Sequence, residues 1–149
     1  MKKILIAAIA CTCLGGPALA MTDAECSAMW KQADANADGT LSGAETDRYM
    51  AMMRMANKSA TADGTLTEKL FQDNCKTDVF TTAAVDAGAP LEGANSFTED
   101  QAKDRIIAFG LNAPSSLTKD DKGIWRGTAM KDGASVSVAV DYKGNVVTQ

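Results

Sequence analysis

One twelve-residue segment, residues 34–45, constrains this chain more than any other feature. Oxygen-bearing side chains occupy its first, third, fifth and last positions, and a glycine follows the fifth. Alternate spacing lets short acidic and amide side chains converge on one point, while glycine permits the sharp turn that carries the backbone around that point. The oxygen-bearing residues are Asp34, Asn36, Asp38 and Glu45, and the glycine is Gly39.

This set of oxygen atoms has the chemistry of a cation site. Asp34, Asp38 and Glu45 carry more negative charge than a divalent cation needs for neutrality. We expect Thr40 to add its backbone carbonyl and Ser42 to act through a water molecule. Calcium suits such a hard oxygen cage, although a lanthanide would suit it too. The segment therefore predicts a Ca²⁺ site with Asp34, Asn36, Asp38, Thr40 and Glu45 as ligands.

Both flanks of the segment carry amphipathic helical patterns. Thr22 and Glu25 form a capping box, after which apolar residues recur at i, i+3, i+4 and i+7. The same spacing follows the segment. Helix, loop and helix in this order resemble the EF-hand family, and the resemblance implies calcium binding. The apolar positions are Cys26, Met29, Trp30 and Ala33 before the loop, and Tyr49, Met52, Met53 and Ala56 after it.

A partial repeat of the same pattern lies at residues 59–70. Asp63 and Gly64 again stand at positions 5 and 6, but Ser59, Thr61 and Leu70 replace the acidic or amide ligands at positions 1, 3 and 12. The EF-hand resemblance implies that the two loops pair at position 8, through Leu66 of the second loop. We expect the second loop to bind no ion, with Glu68 left open as an unusual ligand.

The first twenty residues predict a secretory signal peptide. A short basic start precedes an apolar stretch and a small-residue site, with cleavage expected after Ala20. The apolar stretch is shorter than the roughly 20 residues of a membrane-spanning helix, so we expect no membrane insertion after cleavage. Lipoprotein acylation at Cys11 stays open as an alternative. The expected location is periplasmic or secreted.

Cleavage would leave two of the four cysteines, Cys26 and Cys75, in a chain sent to an oxidising compartment. A disulfide between them would close a loop of about 50 residues and stabilise the fold by about 4 kcal/mol in the chain-entropy model. A redox pair is the alternative, although the two residues lack CxxC spacing. We therefore predict a structural disulfide.

Charge and composition exclude several classes of function. The chain has 15 basic and 19 acidic residues, and the predicted mature part has 13 and 19, a net charge of −6. Such an acidic protein has no electrostatic basis for binding nucleic acid. The sequence contains no His, which excludes Ser-His-Asp, Cys-His and zinc-hydrolase mechanisms. No motif indicates acid–base catalysis by carboxylates, so we expect a protein that is not an enzyme.

Composition divides the mature chain into two units. Residues 21–80 hold the helical patterns of the EF-hand domain, and residues 81–95 are small and turn-prone, which is typical of a linker. Residues 96–149 show one helical pattern followed by alternating segments rich in Val. The predicted fold class is α+β, with a helical EF-hand pair followed by a small unit of one helix and an antiparallel sheet.

The second unit carries a further resemblance. Thr98 and Gln101 can cap its helix, and Asp132-Gly133 is typical of a primed hairpin turn. A capped helix, then the segment Gly-Ile-Trp-Arg-Gly at residues 123–127, then the hairpin turn follow one another along the chain, and this order resembles a PepSY-like domain. That resemblance covers residues 96–149 and implies a regulatory or peptide-contacting module, with an envelope protein or protease as partner.

The methionines that follow the loop leave three interpretations open. They can fill the core, line an apolar groove for a target peptide, or bind a soft metal. Taken together, the sequence predicts a secreted or periplasmic calcium-binding protein with a PepSY-like module for regulation or protein contact. The alternative is a protease-modulating or peptide-binding interaction protein in which calcium only stabilises the fold.

Overall fold

A computed structural model describes residues 20–81 and 88–148. The predicted signal peptide, apart from Ala20, lies outside the described residues, as do residues 82–87 of the predicted linker. Within the described ranges the chain forms four α-helices and two antiparallel sheets, which confirms the predicted α+β class. No helix in these ranges is both long and apolar enough to cross a membrane.

The first half of the chain is helical. Helix α1 spans Asp23–Ala33, and its predicted capping box is confirmed. The Glu25 amide donates to Thr22 Oγ1, and the Thr22 amide donates to Glu25 Oε2. The other helical elements of this half are a 3-10 turn at Gly43–Glu45, α2 at Asp47–Met55 and α3 at Glu68–Cys75.

Two short strands join the two loop segments of this half. Strand β1 spans Thr40–Leu41 and strand β2 spans Leu66–Thr67, and they pair antiparallel with Leu41 opposite Leu66. Both leucines are fully buried. The predicted pairing through Leu66 is confirmed, and it holds residues 34–45 and 59–70 side by side.

A disulfide closes the helical half. Cys26 of α1 and Cys75 of α3 are bonded, with their Cα atoms 5.8 Å apart, as predicted. Both are fully buried in a core with aromatic contacts. Phe71 lies at its centre and meets Trp30 and Tyr49 edge to face, with ring centroids 5.3 and 4.9 Å apart. The bond therefore joins the helix before the first loop to the helix after the second.

The methionines of α2 take different positions. Met52 and Met53 are buried in the same core, and Met50 is partly buried against it. Met55 is 43% exposed at the end of the helix. Core packing is thus the role that the structure supports for Met52 and Met53.

The second half is one helix on a four-stranded antiparallel sheet. Ala102 and Ile106 of the helix are buried against Val138 and Val140 of the sheet. The strands follow one another in sequence order across the sheet. The elements are α4 at Glu99–Ala108, β3 at Thr118–Lys119, β4 at Trp125–Lys131, β5 at Ala134–Val140 and β6 at Val146–Thr148.

Two local predictions for this half are confirmed. Thr98 and Gln101 form the capping box of α4. Asp132 and Gly133 connect β4 to β5 with φ of 50° and 82°, the two positive values that a type I′ hairpin turn requires. The chain direction and the strand register here thus follow from local sequence.

The two halves pack against each other through α2 and α4. Ala108 of α4 is buried in the core of the helical half, and Ile107 packs on that core. Residues 88–95, the described end of the predicted linker, run along the sheet half. The Leu91 amide donates to Asp141 Oδ2 over 3.1 Å, and the Gly93 amide donates to the Lys122 carbonyl over 3.0 Å.

Candidate metal centre

Residues 34–45 run from the end of α1 to the end of the 3-10 turn that precedes α2. The loop turns sharply at Gly39, whose φ of 83° is open to glycine at little cost. Immediately after this turn the chain enters β1 and pairs with β2. The loop is thus held at both ends by helices and in its middle by a strand pair.

Asp34, at the first position, is 9% exposed and faces into the loop. Its Oδ1 accepts from the Asp38 amide and its Oδ2 accepts from the Gly39 amide, each over 3.1 Å. Both carboxylate oxygens are therefore directed at the inner side of the turn. The same contacts draw the loop into a tight coil around the Asp34 side chain.

Asn36 and Asp38 continue this inward network. Asn36 Oδ1 accepts from the Asp38 amide over 2.9 Å, and Asn36 Nδ2 donates to Asp38 Oδ2 over 3.0 Å. Asp38 Oδ1 accepts from both the amide and the hydroxyl of Thr40, over 2.9 and 2.8 Å. These bonds from Thr40, with that from Asn36, lower the pKa of Asp38, so its carboxylate stays ionised in mild acid.

Glu45, at the last position, reaches back across the loop. Its Oε1 accepts from the amides of Ala35 and Asn36, over 3.1 and 3.3 Å, and its Oε2 accepts from the Ser42 amide over 3.5 Å. A carboxylate ten residues along the chain thus lies beside the start of the loop. This closure places the Glu45 carboxylate beside the backbone of residues 35 and 36.

Two features of this loop were not foreseen in the sequence. Thr40 was expected to matter only through its carbonyl, but its hydroxyl also donates to Asp38. The Ser42 backbone amide also donates to Glu45, a contact separate from the expected role of Ser42 through water. The spacing of Asp38 and Thr40 is the signal that could have indicated the first, because Asp side chains commonly accept hydrogen bonds from two residues on.

The carboxylates of the loop are held by amide and hydroxyl donors. Within residues 20–81 and 88–148, no three acidic or cysteine side chains are gathered closely enough to hold a metal ion. The donor set nevertheless fits a hard cation in chemistry, because it is made of oxygen atoms and includes three carboxylates. Each carboxylate oxygen can accept more than one contact, so amide hydrogen bonding and ion ligation are compatible.

The second loop, residues 59–70, has a hydroxyl network in place of acidic ligands. Asp63 Oδ1 accepts from the hydroxyls of Thr61 and Thr65, over 2.7 and 2.8 Å, and from the Thr65 amide over 3.1 Å. The two hydroxyl bonds are the main reason that the pKa of Asp63 is lowered to about 2. Leu70, at the last position, packs partly buried against the core. This loop therefore satisfies the Asp63 carboxylate internally.

The sheet half holds one further carboxylate of note. Asp141 is fully buried and accepts from the amides of Lys143, Asn145 and Leu91 and from Asn145 Nδ2, over 2.9–3.1 Å. Burial alone raises the pKa of this group, but the bonds from Asn145, Leu91 and Lys143 outweigh it, and the pKa lies below its ordinary value. Asp141 therefore closes the turn before β6 and anchors residue 91.

Comparison with protein-family models, with curated proteins and with solved structures finds no match for this chain. The functional argument therefore depends on the chemistry and geometry of the chain itself.

Proposed function

We propose that this chain is an exported calcium-binding protein whose cation site is an EF-hand loop at residues 34–45. The observation that carries the proposal is the closure by Glu45, whose carboxylate bonds to the amides of Ala35 and Asn36. It supports a closed loop in which the carboxylate at the twelfth position lies beside the backbone of the second and third positions. The proposed ligands are Asp34, Asn36, Asp38, Thr40 through its carbonyl, and Glu45.

Calcium would supply the positive charge that this loop lacks. Three carboxylates in one loop repel one another, and amide donors offset that repulsion only in part. A bound divalent cation would neutralise most of the charge and stabilise the folded state by mass action. In the second loop Asp63 Oδ1 already accepts three hydrogen bonds, and Ser59, Thr61 and Leu70 leave the first, third and last positions without carboxylates, so we propose that it binds no ion.

The sheet half is proposed to be a PepSY-like module that serves regulation or protein contact. Its helix followed by antiparallel strands supports that proposal, as does the seating of Trp125, whose Nε1 donates to the Phe97 carbonyl over 3.1 Å. An envelope protein or protease is the proposed partner, and no catalytic role is proposed for the chain. Calorimetry with candidate envelope proteases tests this part, and the absence of any binding would contradict it.

Titration of the purified protein with calcium, followed by calorimetry, tests the central claim. One ion should bind per chain. Glu45→Gln keeps the size of the side chain but removes a charge and the symmetric bidentate grip, so calcium affinity should fall by more than about tenfold. Glu68→Gln makes the same chemical change in the second loop and is the matched control. Equal affinities for both variants and the unchanged protein would contradict the assignment of residues 34–45.

Location is tested separately from ion binding. When the full chain is expressed in a bacterial host, the exported protein should have the intact mass of a chain that begins at Met21. Retention of residues 1–20 would contradict the proposed export.

A further inference from the structure

Helix α4 contributes to both hydrophobic cores of the molecule. Ala102 and Ile106 are fully buried in the core of the sheet half. The next two residues, Ile107 and Ala108, pack on or within the core of the helical half. Any change in the position of α4 is therefore felt by both halves, because close-packed cores transmit small displacements.

Two arginines of α2 hold α4 in place. Near the start of α2, Arg48 Nε donates to the carbonyl of Ala108, at the end of α4, over 3.2 Å. Near the end of α2, Arg54 contacts Asp104 with Nε at 3.0 and 3.1 Å and Nη2 at 2.5 Å from the carboxylate oxygens. The Asp104 side chain is 15% exposed, so this ion pair is partly shielded from solvent. The two contacts fix α2 and α4 antiparallel along their length.

The last residue of the proposed calcium loop, Glu45, lies two residues before α2. The 3-10 turn Gly43–Glu45 runs into α2 at Asp47. Between them Thr46 is buried, and its hydroxyl donates to the Gly43 carbonyl over 2.8 Å. The position of the Glu45 carboxylate therefore depends on the position of α2.

From these contacts we infer that α4 is a built-in partner of the calcium-binding half, so that ion binding at residues 34–45 and docking of the sheet half strengthen each other. This inference rests on the proposed function. With α4 docked, α2 is held where Glu45 reaches Ala35 and Asn36, which is the closed arrangement of the ligand loop. Because coupling between two sites is reciprocal, calcium stabilises the docked sheet half by the same factor.

The test uses the full chain and two substitutions, one that removes a negative charge and one that removes a positive charge. Asp104→Asn and Arg54→Gln each break the ion pair between α2 and α4. Calcium affinity should fall by about threefold in both, a loss within the range of a partly shielded ion pair. If only long-range electrostatics acted, loss of a negative charge would lower calcium affinity and loss of a positive charge would raise it. Asp100→Asn, at an exposed site on the same helix, is the matched control and should leave the affinity unchanged.

Hydrogen exchange supplies the reciprocal measurement. Addition of calcium should slow amide exchange in β4 and β5 of the unchanged protein, and Asp104→Asn should reduce that slowing. The inference would be overturned if calcium affinity shifted in opposite directions in the two variants or stayed unchanged in both. It would also be overturned if calcium slowed amide exchange only within residues 22–75. None of these outcomes would overturn the proposed function. Absence of calcium binding in the unchanged protein would instead overturn the proposed function, and this inference with it.

Discussion

The two loops of the helical half share a backbone frame but differ in the side chains at the predicted ligand positions. Each turns at a glycine of positive φ, 83° at Gly39 and 76° at Gly64, and each then enters a strand of the same pair. Each also has an aspartate that accepts from the threonine two residues on. The first loop ends in Glu45, which reaches back to the start of the loop, whereas Leu70 at the equivalent place packs on the core.

The comparison separates what shapes such a loop from what would let it bind an ion. Glycine and the strand pair suffice for the turn, because the second loop makes it without acidic residues at its first and last positions. In the second loop the Thr61 hydroxyl bonds to the Thr65 carbonyl and to the Asp63 carboxylate, which ties the coil with a hydroxyl donor. The frame is thus common to both loops, and the proposed difference in ion binding follows from the side chains at the first, third and last positions.

The largest effect is expected when the disulfide that joins α1, before the first loop, to α3, after the second loop, is removed. Cys26→Ala together with Cys75→Ala should lower the free energy of unfolding by about 4 kcal/mol, because the bond closes a loop of 49 residues in sequence separation. Urea unfolding with and without calcium measures this loss. A loss below about 1 kcal/mol would show that the two loops are held together by packing instead.

The next effect tests whether the two strands of the pair contribute equally to the stability of the backbone frame. Leu41→Ala and Leu66→Ala each remove a fully buried side chain from the strand pair, so each should cost about 3 kcal/mol in unfolding free energy. Leu91→Ala, at a 38% exposed site, is the control and should cost less than about 1 kcal/mol. Strongly unequal losses of unfolding free energy at residues 41 and 66 would show that the two strands do not contribute equally.

A smaller effect tests the ligand difference. Leu70→Glu alone should leave calcium stoichiometry at one ion per chain, because Ser59 and Thr61 still lack carboxylates. Adding Ser59→Asp and Thr61→Asn should raise it to two, since the frame is already in place. Calorimetry measures the stoichiometry. A second ion with Leu70→Glu alone, or none with all three changes, would show that the frame also differs.

The smallest effect concerns acid. The pKa of Asp63 is about 2 in the folded protein against an ordinary value of 3.8, so its contribution to stability is present above about pH 4 and is lost as the pH falls toward 2. Asp63→Asn lacks that contribution. The difference in unfolding free energy between the two proteins should therefore shrink over this range in acid titrations of urea unfolding. A difference independent of pH would contradict the assigned pKa.

Much of the candidate site could be predicted from sequence, for a physical reason. Asp34, Asn36, Asp38 and Gly39 interact within a few residues of one another, so their spacing alone indicates how they meet. The disulfide could also be predicted, because only two cysteines follow the predicted leader. The pairing of Leu41 with Leu66 required the resemblance to a family, since 25 residues separate the two. The amide partners of Glu45 could not be predicted, because every residue near the start of the loop offers a backbone amide and the sequence does not say which of them the carboxylate reaches.

The sequence by itself determined the interactions between residues that are close together along the chain. The capping boxes at Thr22 and Thr98, the turn at Gly39 and the hairpin at Asp132 each involve groups only a few residues apart, and their geometry is set by φ, ψ and side-chain length.

The tertiary structure alone decided how the halves meet. Arg54 and Asp104 lie 50 residues apart, and charged residues on exposed helix faces have no periodic signature that identifies a partner. The sharing of α4 between two cores is equally hidden, because Ile106 and Ile107 are both apolar and one helical pattern does not say which core each will join. Such contacts are selected by the packing of whole elements, whose free energy depends on shape and burial across the molecule.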